Sequence, residues 1–529
     1  MLVRELFLVA LVGLGLLTSL AQAGADSVAI QYHFAGTAGF AGNTNFALAQ
    51  RLCSLPSSLE FRQLALGRLA GVFWRDLNFW PGADPVASLG PVLDDLLAVE
   101  SVGSFGGASK EHLDFVLAAH LDPARTQAWR QTLVTALGGP GESFQVAGFP
   151  ATRWNRSSND FYWLAQLRDW TVAGRGNDLQ PLSTEYLQEI QKNGRPAPAL
   201  SETWVQGEIN WPRLATWGFC ASSPFKLART SFQVAAVGGR FRVTGTIAYP
   251  EEVPWSAKPW HIPKDLVHEP LMSFTAARDL TPFFTPGASL PRFFPNAFDN
   301  QFCCWAQRDL VFQTYAAWPT PDGPEALRIL QQSFLPDLNS LLTKPRDEKI
   351  FWSPKTTEMV WPKSSLLIPT LSSLRRRDGD YLLAKLFPLP DSRRPAPEGL
   401  WKQIERADDL VYYDWELTGP RLQQWRVLCE FLPVLPAAPP PSLAKSKQAP
   451  PFAVVDSWLG GLTPFLGNTA TEIKRSGPSQ LSVARTTPFV FTSFELLWLS
   501  HWLTETPAGP VNTNLLPMAK MTGPGLPSR

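Results

Sequence analysis

Two pairs of carboxylate and guanidinium side chains are the groups whose types and spacing could do chemistry. Residues 204–217 read WVQGEINWPRLATW and residues 412–425 read YYDWELTGPRLQQW, so Pro-Arg-Leu-x-x-Trp closes both stretches. Each reads as a strand running into a short helix, with Glu208 and Glu416 at equivalent strand positions and Arg213 and Arg421 at equivalent helix starts. Two carboxylates facing one cleft between modules could act as general acid and base. A Glu-Arg pair that pins strand to helix within each stretch, worth roughly 0–1 kcal/mol if exposed, is the structural reading that the sequence favours. Equal, modest losses of stability on mutating Glu208 and Glu416 would fit that reading.

Other chemistry finds little footing. Gly-x-Ser-x-Gly, His-Glu-x-x-His, Gly-x-x-x-x-Gly-Lys and Gly-x-Gly-x-x-Gly do not occur. Ser-x-x-Lys, the spacing that sets a lysine one helical turn from a serine nucleophile, occurs as Ser223 to Lys226 and Ser442 to Lys445. Pro224 interrupts the first and the second falls in a proline-rich stretch, so neither is read as an acyl-transfer site. The six histidines (His33, His112, His120, His261, His268 and His501) lack ligand spacing, and no Cys-x-x-Cys occurs. No catalytic residue, metal or cofactor is therefore expected. Cys53, Cys220, Cys303, Cys304 and Cys429 are too few and scattered for a disulfide scaffold, and the odd count leaves one thiol unpaired within the chain. Cys220 and Cys429 fall near equivalent places and read as buried packing. Of the 21 tryptophans, Trp74, Trp80, Trp255, Trp260, Trp352 and Trp361 stand near turns or strand ends. Exposed indoles could stack on a glycan or anchor a protein partner, but core burial is the default, Trp217 and Trp425 included.

The elements that must position these residues follow the same order in two halves. Leu113 to Leu121 alternates as a strand, Ala124 to Leu137 is helical behind Pro123, and strands are expected at 144–154, 160–168 and 170–174. In the second half the counterparts are a strand at 309–318, a helix at 325–342 and strands at 350–361, 365–374 and 381–388. Helices near 181–192 and 397–406 precede the matched segments. Hairpins follow at 232–237 with 240–249 around Gly238-Gly239, and at 470–475 with 480–485 around Gly477-Pro478. Helical runs at 271–284 and 489–503 close the two series. The expected fold class is α+β: two tandem copies of a mainly antiparallel sheet, β-α-β-β-β-α-β-α-β-β-α, with helices packed on one face.

The expected organisation is a signal peptide 1–23, a mostly helical lead 24–110 joined to module 1, module 1 at 111–290, module 2 at 291–505 and a disordered tail 506–529. A proline-rich insertion at 433–451 has the composition of a solvated linker. Arg375-Arg376-Arg377 before Asp378-Gly379-Asp380 reads as a hairpin tip. Arg4, the apolar run from Leu6 to Leu20 and Ala21-Gln22-Ala23 form the layout of a cleaved secretory signal. That run is about 15 residues, short of the roughly 20 a spanning helix needs, so no transmembrane segment is expected after cleavage. With 47 basic and 46 acidic residues, no nucleic-acid partner is indicated.

Tyr32-His33-Phe34-Ala35-Gly36 with Asn43-Thr44-Asn45, Leu93 to Ser101, Pro270 to Ala276, Gly467 to Glu472 and Phe494-Glu495-Leu496 carry a resemblance. Over most of residues 30–505 the chain resembles an uncharacterised family of large exported bacterial proteins. The resemblance implies export and an α+β build, and no activity. The functional expectation is a non-enzymatic binding or envelope-structural component of the periplasm or cell surface, with an unknown envelope or extracellular partner and no oligomeric state assigned. The alternatives are a hydrolase of an extracellular polymer with its site between the modules, and a carrier of an apolar ligand.

Overall fold

The computed structural model describes residues 28–504 apart from 41–42, 78, 80–81, 108, 110–112, 157–159, 177–178, 201, 219–222, 224, 257, 286–299, 308–312, 334–350, 354–357, 361–369, 378, 386–388, 390–393 and 432–449. Outside the described residues fall the expected signal peptide and tail, the proline-rich segment to 449, Cys220, Pro224, His112, Trp80 and Trp361, and the side chains of Trp352 and Cys429.

Twenty strands among the described residues form one sheet. The first ten are β1 Val28–Phe34, β2 Ser101–Gly107, β3 Leu113–His120, β4 Glu142–Val146, β5 Phe149–Asn155, β6 Phe161–Leu167, β7 Trp170–Arg175, β8 Thr203–Asn210, β9 Arg229–Val237 and β10 Arg240–Ala248. The second ten are β11 Leu271–Arg278, β12 Gln301–Gln307, β13 Thr314–Thr320, β14 Phe351–Ser353, β15 Glu358–Val360, β16 Thr370–Arg376, β17 Gly379–Lys385, β18 Leu410–Leu417, β19 Asn468–Gly477 and β20 Gln480–Thr487. Every pairing is antiparallel. The order across the first half is β4-β5-β6-β7-β3-β2-β1-β8-β9-β10. Across the second it is β14-β15-β16-β17-β13-β12-β11-β18-β19-β20, the same scheme strand for strand. β10 pairs with β20 from Phe241↔Thr487 to Ala248↔Gln480 and joins the halves.

The eleven helices among the described residues are α1 Ala47–Cys53, α2 Pro56–Asp76, α3 Pro85–Ala98, α4 Pro123–Leu137, α5 Gln180–Asn193, α6 Trp211–Thr216, α7 Gly323–Ser333, α8 Glu398–Glu405, α9 Thr418–Phe431, α10 Pro450–Leu462 and α11 Ser493–Thr504. Proline in the first turn starts α2, α3 and α4, where its missing N–H costs nothing. Asp84 and Asp122 accept from backbone N–H groups to cap α3 and α4. α1, α2, α10 and α11 share one hydrophobic cluster through Leu52, Leu69, Trp458, Leu459 and Leu499, so the helices after β1 meet those near the C-terminus.

Several expectations need correction. Residues 271–284 are not a helix: LMSFTAAR forms β11, buried along nearly its whole length on both faces, where an apolar run lacks strand alternation. β11 pairs with β12 and β18 as β1 pairs with β2 and β8. The halves of the sheet therefore divide between Ala248 and Leu271 rather than at 290. The lead 24–110 also holds two sheet strands, β1 and β2, the latter hidden by its glycines. Residues 144–154 are two strands, because Ala147 and Gly148 take φ 51° and 84° and turn the chain. Helices cover both faces, not one. Phe115, Leu117 and Ala119 of β3 pack in the cluster that holds Ala70 and Trp129 of α2 and α4, while Val116 and Ala118 pack with Tyr186 and Ile190 of α5. A strand apolar at every position has two faces to bury. The expected linker 433–451 also overlaps a helix, because α10 begins at Pro450.

Candidate functional site

α2 lays Ala65, Leu66, Leu69 and Phe73 toward the sheet, a helical spacing that places them on one face. α3 runs beside it and contributes Leu93, Leu96 and Leu97. Between these helices and the first half of the sheet the packing leaves two adjoining apolar cavities. The larger, about 370 Å³, reaches from Tyr32 and Phe34 of β1 to Trp204 of β8 and Phe241 of β10, and Trp458, Leu462 and Phe491 close it from the C-terminal part of the chain. The smaller, about 220 Å³, lies among Leu89, Val92, Phe115, Leu133, Trp211 and Trp217. Phe73, Leu93, Leu96, Phe105 and Leu117 line both. The larger volume falls within the roughly 300–1,000 Å³ of small-molecule sites.

Fold contacts occupy most of the polar groups nearby. Asp95 accepts from Trp129 Nε1 at 2.9 Å and pairs with Arg125, tying α3 to α4. Tyr162 donates its hydroxyl to Leu77 O at 2.7 Å, and Thr37 Oγ1 donates to Leu97 O at 2.9 Å. Arg62 Nη2 pairs with Asp94 Oδ1 at 2.6 Å. Cys53 also lines the larger cavity and is exposed at its edge. Burial of its sulfur pushes that thiol up, with Arg62 opposing, so it is not an activated nucleophile. Among the described residues no group of three His, Cys, Asp or Glu is placed to hold a metal ion.

The two carboxylates singled out in the sequence are not brought together. Glu208 on β8 and Glu416 on β18 are separated by β9, β10, β20 and β19, five strand spacings of about 4.8 Å, or on the order of 24 Å along the sheet. Paired glycosidase carboxyls stand about 5–10 Å apart. Nor does either glutamate pair with its following arginine. Glu208 pairs with Arg229 at 3.1 Å, and Arg213 Nη2 donates to Gly107 O at 2.7 Å, joined there by Trp217 Nε1 at 3.2 Å. Glu416 is buried and accepts from Ser493 N at 2.7 Å and Ser493 Oγ at 2.5 Å at the start of α11. Arg421 donates to Gln424 Oε1 at 2.7 Å and Thr314 Oγ1 at 3.2 Å and lies over the Trp425 ring. Gln424 Nε2 in turn donates to Gln307 O. The matched helices thus each hold the last carbonyl of an equivalent strand, β2 or β12. Trp217 is buried, but Trp425 is only half-buried.

Asp414 and Glu495 lie close to Glu416 and form an acidic group around Arg485. Burial pushes the Asp414 carboxyl up to about 6, opposed by the hydrogen bond from Thr275 Oγ1 at 2.6 Å. Glu495 is held by Arg485 at 2.9 and 3.0 Å and by Thr492 N at 2.8 Å. Every carboxylate of this group already serves a fold contact.

The cavities were invisible in the sequence, since the spacing that lines them is the spacing that makes a core. The one local trace is Ser58 and Arg62, a polar pair at i and i+4 on an otherwise apolar helix face.

No family model matches the chain, and no curated protein is similar to it. A solved structure, crystal form III of TP0453, is similar at 13% identity over 45% of this chain and 83% of that chain, with a TM-score of 0.22. A likeness of that strength carries no argument about fold or function. Among the described residues no helix is long and apolar enough to cross a membrane.

Proposed function

We propose that this protein is an exported, non-enzymatic binding protein that holds an apolar molecule between its helices and the first half of its sheet. The observation that carries the reading is the larger cavity, about 370 Å³ and walled by aromatic and aliphatic side chains from β1 through Phe491. Apolar side chains that leave room for a guest give up contact energy that a ligand can restore. The separation of Glu208 from Glu416 weighs against a hydrolase built on those two groups. The repeated strand scheme supports a second part of the proposal, that the chain is two tandem copies of one module. In that scheme Trp217 and Trp425 are equivalent, and the long α2 and α3 that enclose the cavity lie between β1 and β2 of the first copy.

The test is binding of a fluorescent long-chain alcohol by the full mature chain, with Ala65→Phe as the blocking variant. Ala65 lines the larger cavity and is buried, so a phenyl ring there takes up ligand space. Saturable binding by the wild type that Ala65→Phe loses while its melting temperature holds supports the proposal. Binding unchanged in a folded Ala65→Phe, or no binding by the wild type, overturns it.

A further inference from the structure

We infer that the molecule held in the larger cavity is a single-chain amphiphile with an anionic oxygen head, its chain among the apolar side chains and its head at Ser58 and Arg62. The inference rests on the apolar-carrier reading and adds the chemistry of the head. Among the polar residues that line this cavity, Thr37 and Ser101 are already engaged, with Leu97 O and Tyr32. Ser58 and Arg62 differ. Ser58 is 9% exposed and its Oγ has no hydrogen-bond partner, and Arg62 Nε is likewise buried without one. A buried donor left unmade costs about 1–3 kcal/mol, so two on neighbouring turns of one helix mark a place where an acceptor is missing.

The setting selects the kind of acceptor. Asp94 pairs with Arg62 Nη2, and Nε beside it keeps its hydrogen free. A carboxylate or phosphate oxygen accepts from a guanidinium edge and a hydroxyl together, and such charge-assisted bonds are the strong ones. The Arg62 side chain is 39% exposed and Cys53 beside it is exposed, so this end of the cavity faces solvent while Phe241, Trp458 and Phe491 form apolar wall elsewhere. An amphiphile would lie with its charged end where water reaches and its chain where it does not.

The experiment compares dodecanoic acid, lysophosphatidate and dodecanol as ligands of the full mature chain by calorimetry, for wild type, Arg62→Gln, Arg62→Lys and Ser58→Ala. Either anionic form is expected to bind about tenfold more tightly than the alcohol, the worth of one charge-assisted hydrogen bond, and which of the two leads tells a carboxylate from a phosphate head. Arg62→Gln should remove that preference by weakening either anionic form about tenfold with a smaller effect on dodecanol, and Arg62→Lys should restore part of it. The wild-type chain should also be alkylated by iodoacetamide more slowly at Cys53 when the acid is bound. Equal binding of acid and alcohol, or a preference that survives Arg62→Gln, overturns the head-group inference and leaves the apolar carrier standing. Failure of all three ligands to bind sinks both.

Discussion

Asp414→Asn should make the protein more stable at neutral pH and leave it nearly unchanged near pH 4. In the folded chain burial raises the Asp414 carboxyl from 3.8 to about 6 against the opposing hydrogen bond from Thr275, with Glu416 and Glu495 adding to the rise and Arg485 reducing it. A carboxyl whose folded pKa lies above its unfolded value binds more protons when folded. Its contribution is therefore fully present below about pH 4 and is lost as pH rises to about 6. At about 1.4 kcal/mol per pKa unit, a shift of this size is worth about 2–3 kcal/mol, the lower figure allowing for partial exposure. Asparagine keeps an oxygen to accept from Thr275 and removes the charge. The assay is urea unfolding of wild type and variant followed by tryptophan fluorescence from pH 4 to pH 7.5, read as the difference between the two so that other titrating groups cancel. A difference growing from near zero at pH 4 to about 2–3 kcal/mol above pH 6 is expected. A difference that stays flat across that range would refute the claim that burial dominates at Asp414.

Three more variants have outcomes set by their contacts. Glu208→Gln should cost no more than about 1 kcal/mol, since its partner Arg229 is 39% exposed. Glu416→Gln should cost about 2–3 kcal/mol by weakening two buried charge-assisted bonds at the start of α11, and equal losses in the two variants would contradict these assignments. Arg278→Met should lower the melting temperature sharply, with an expected cost of 3 kcal/mol or more. Its guanidinium donates to Leu410 O at 2.7 Å, Lys258 O at 2.8 Å, Ala407 O at 3.3 Å and Asp408 O, and a shift of only a degree or two in differential scanning fluorimetry would count against that role.

The hairpins at Gly238-Gly239 and Gly477-Pro478 are present as β9 with β10 and β19 with β20, because a tight turn and its flanking alternation depend on a few adjacent residues. Arg375 and Asp380 do flank a hairpin end, paired at 3.1 Å between β16 and β17. The recurrence of Pro-Arg-Leu-x-x-Trp pointed to helices that hold equivalent strand ends, although the partner of each arginine was not foreseen. Misreadings arose where periodicity is erased. β11 is buried on both faces and so looks like any short apolar run, and β2 is masked by Gly103, Gly106 and Gly107.

The sequence by itself determined a chain rich enough in apolar residues to bury a large core and an α+β architecture with a mainly antiparallel sheet. Tertiary structure alone decided which strands distant in the chain are neighbours. β1 lies between β2 and β8, whose partners are some 70 and 180 residues further along the chain, and no local pattern encodes such a contact. The same non-local pairing sets Glu208 and Glu416 five strands apart, which removes the chemistry their matched positions suggested. It also brings α2, α3, β1, β10 and α10 around one space. A cavity is the part of a core that the surrounding side chains fail to fill, and that failure depends on how distant segments meet rather than on the residues of any one of them.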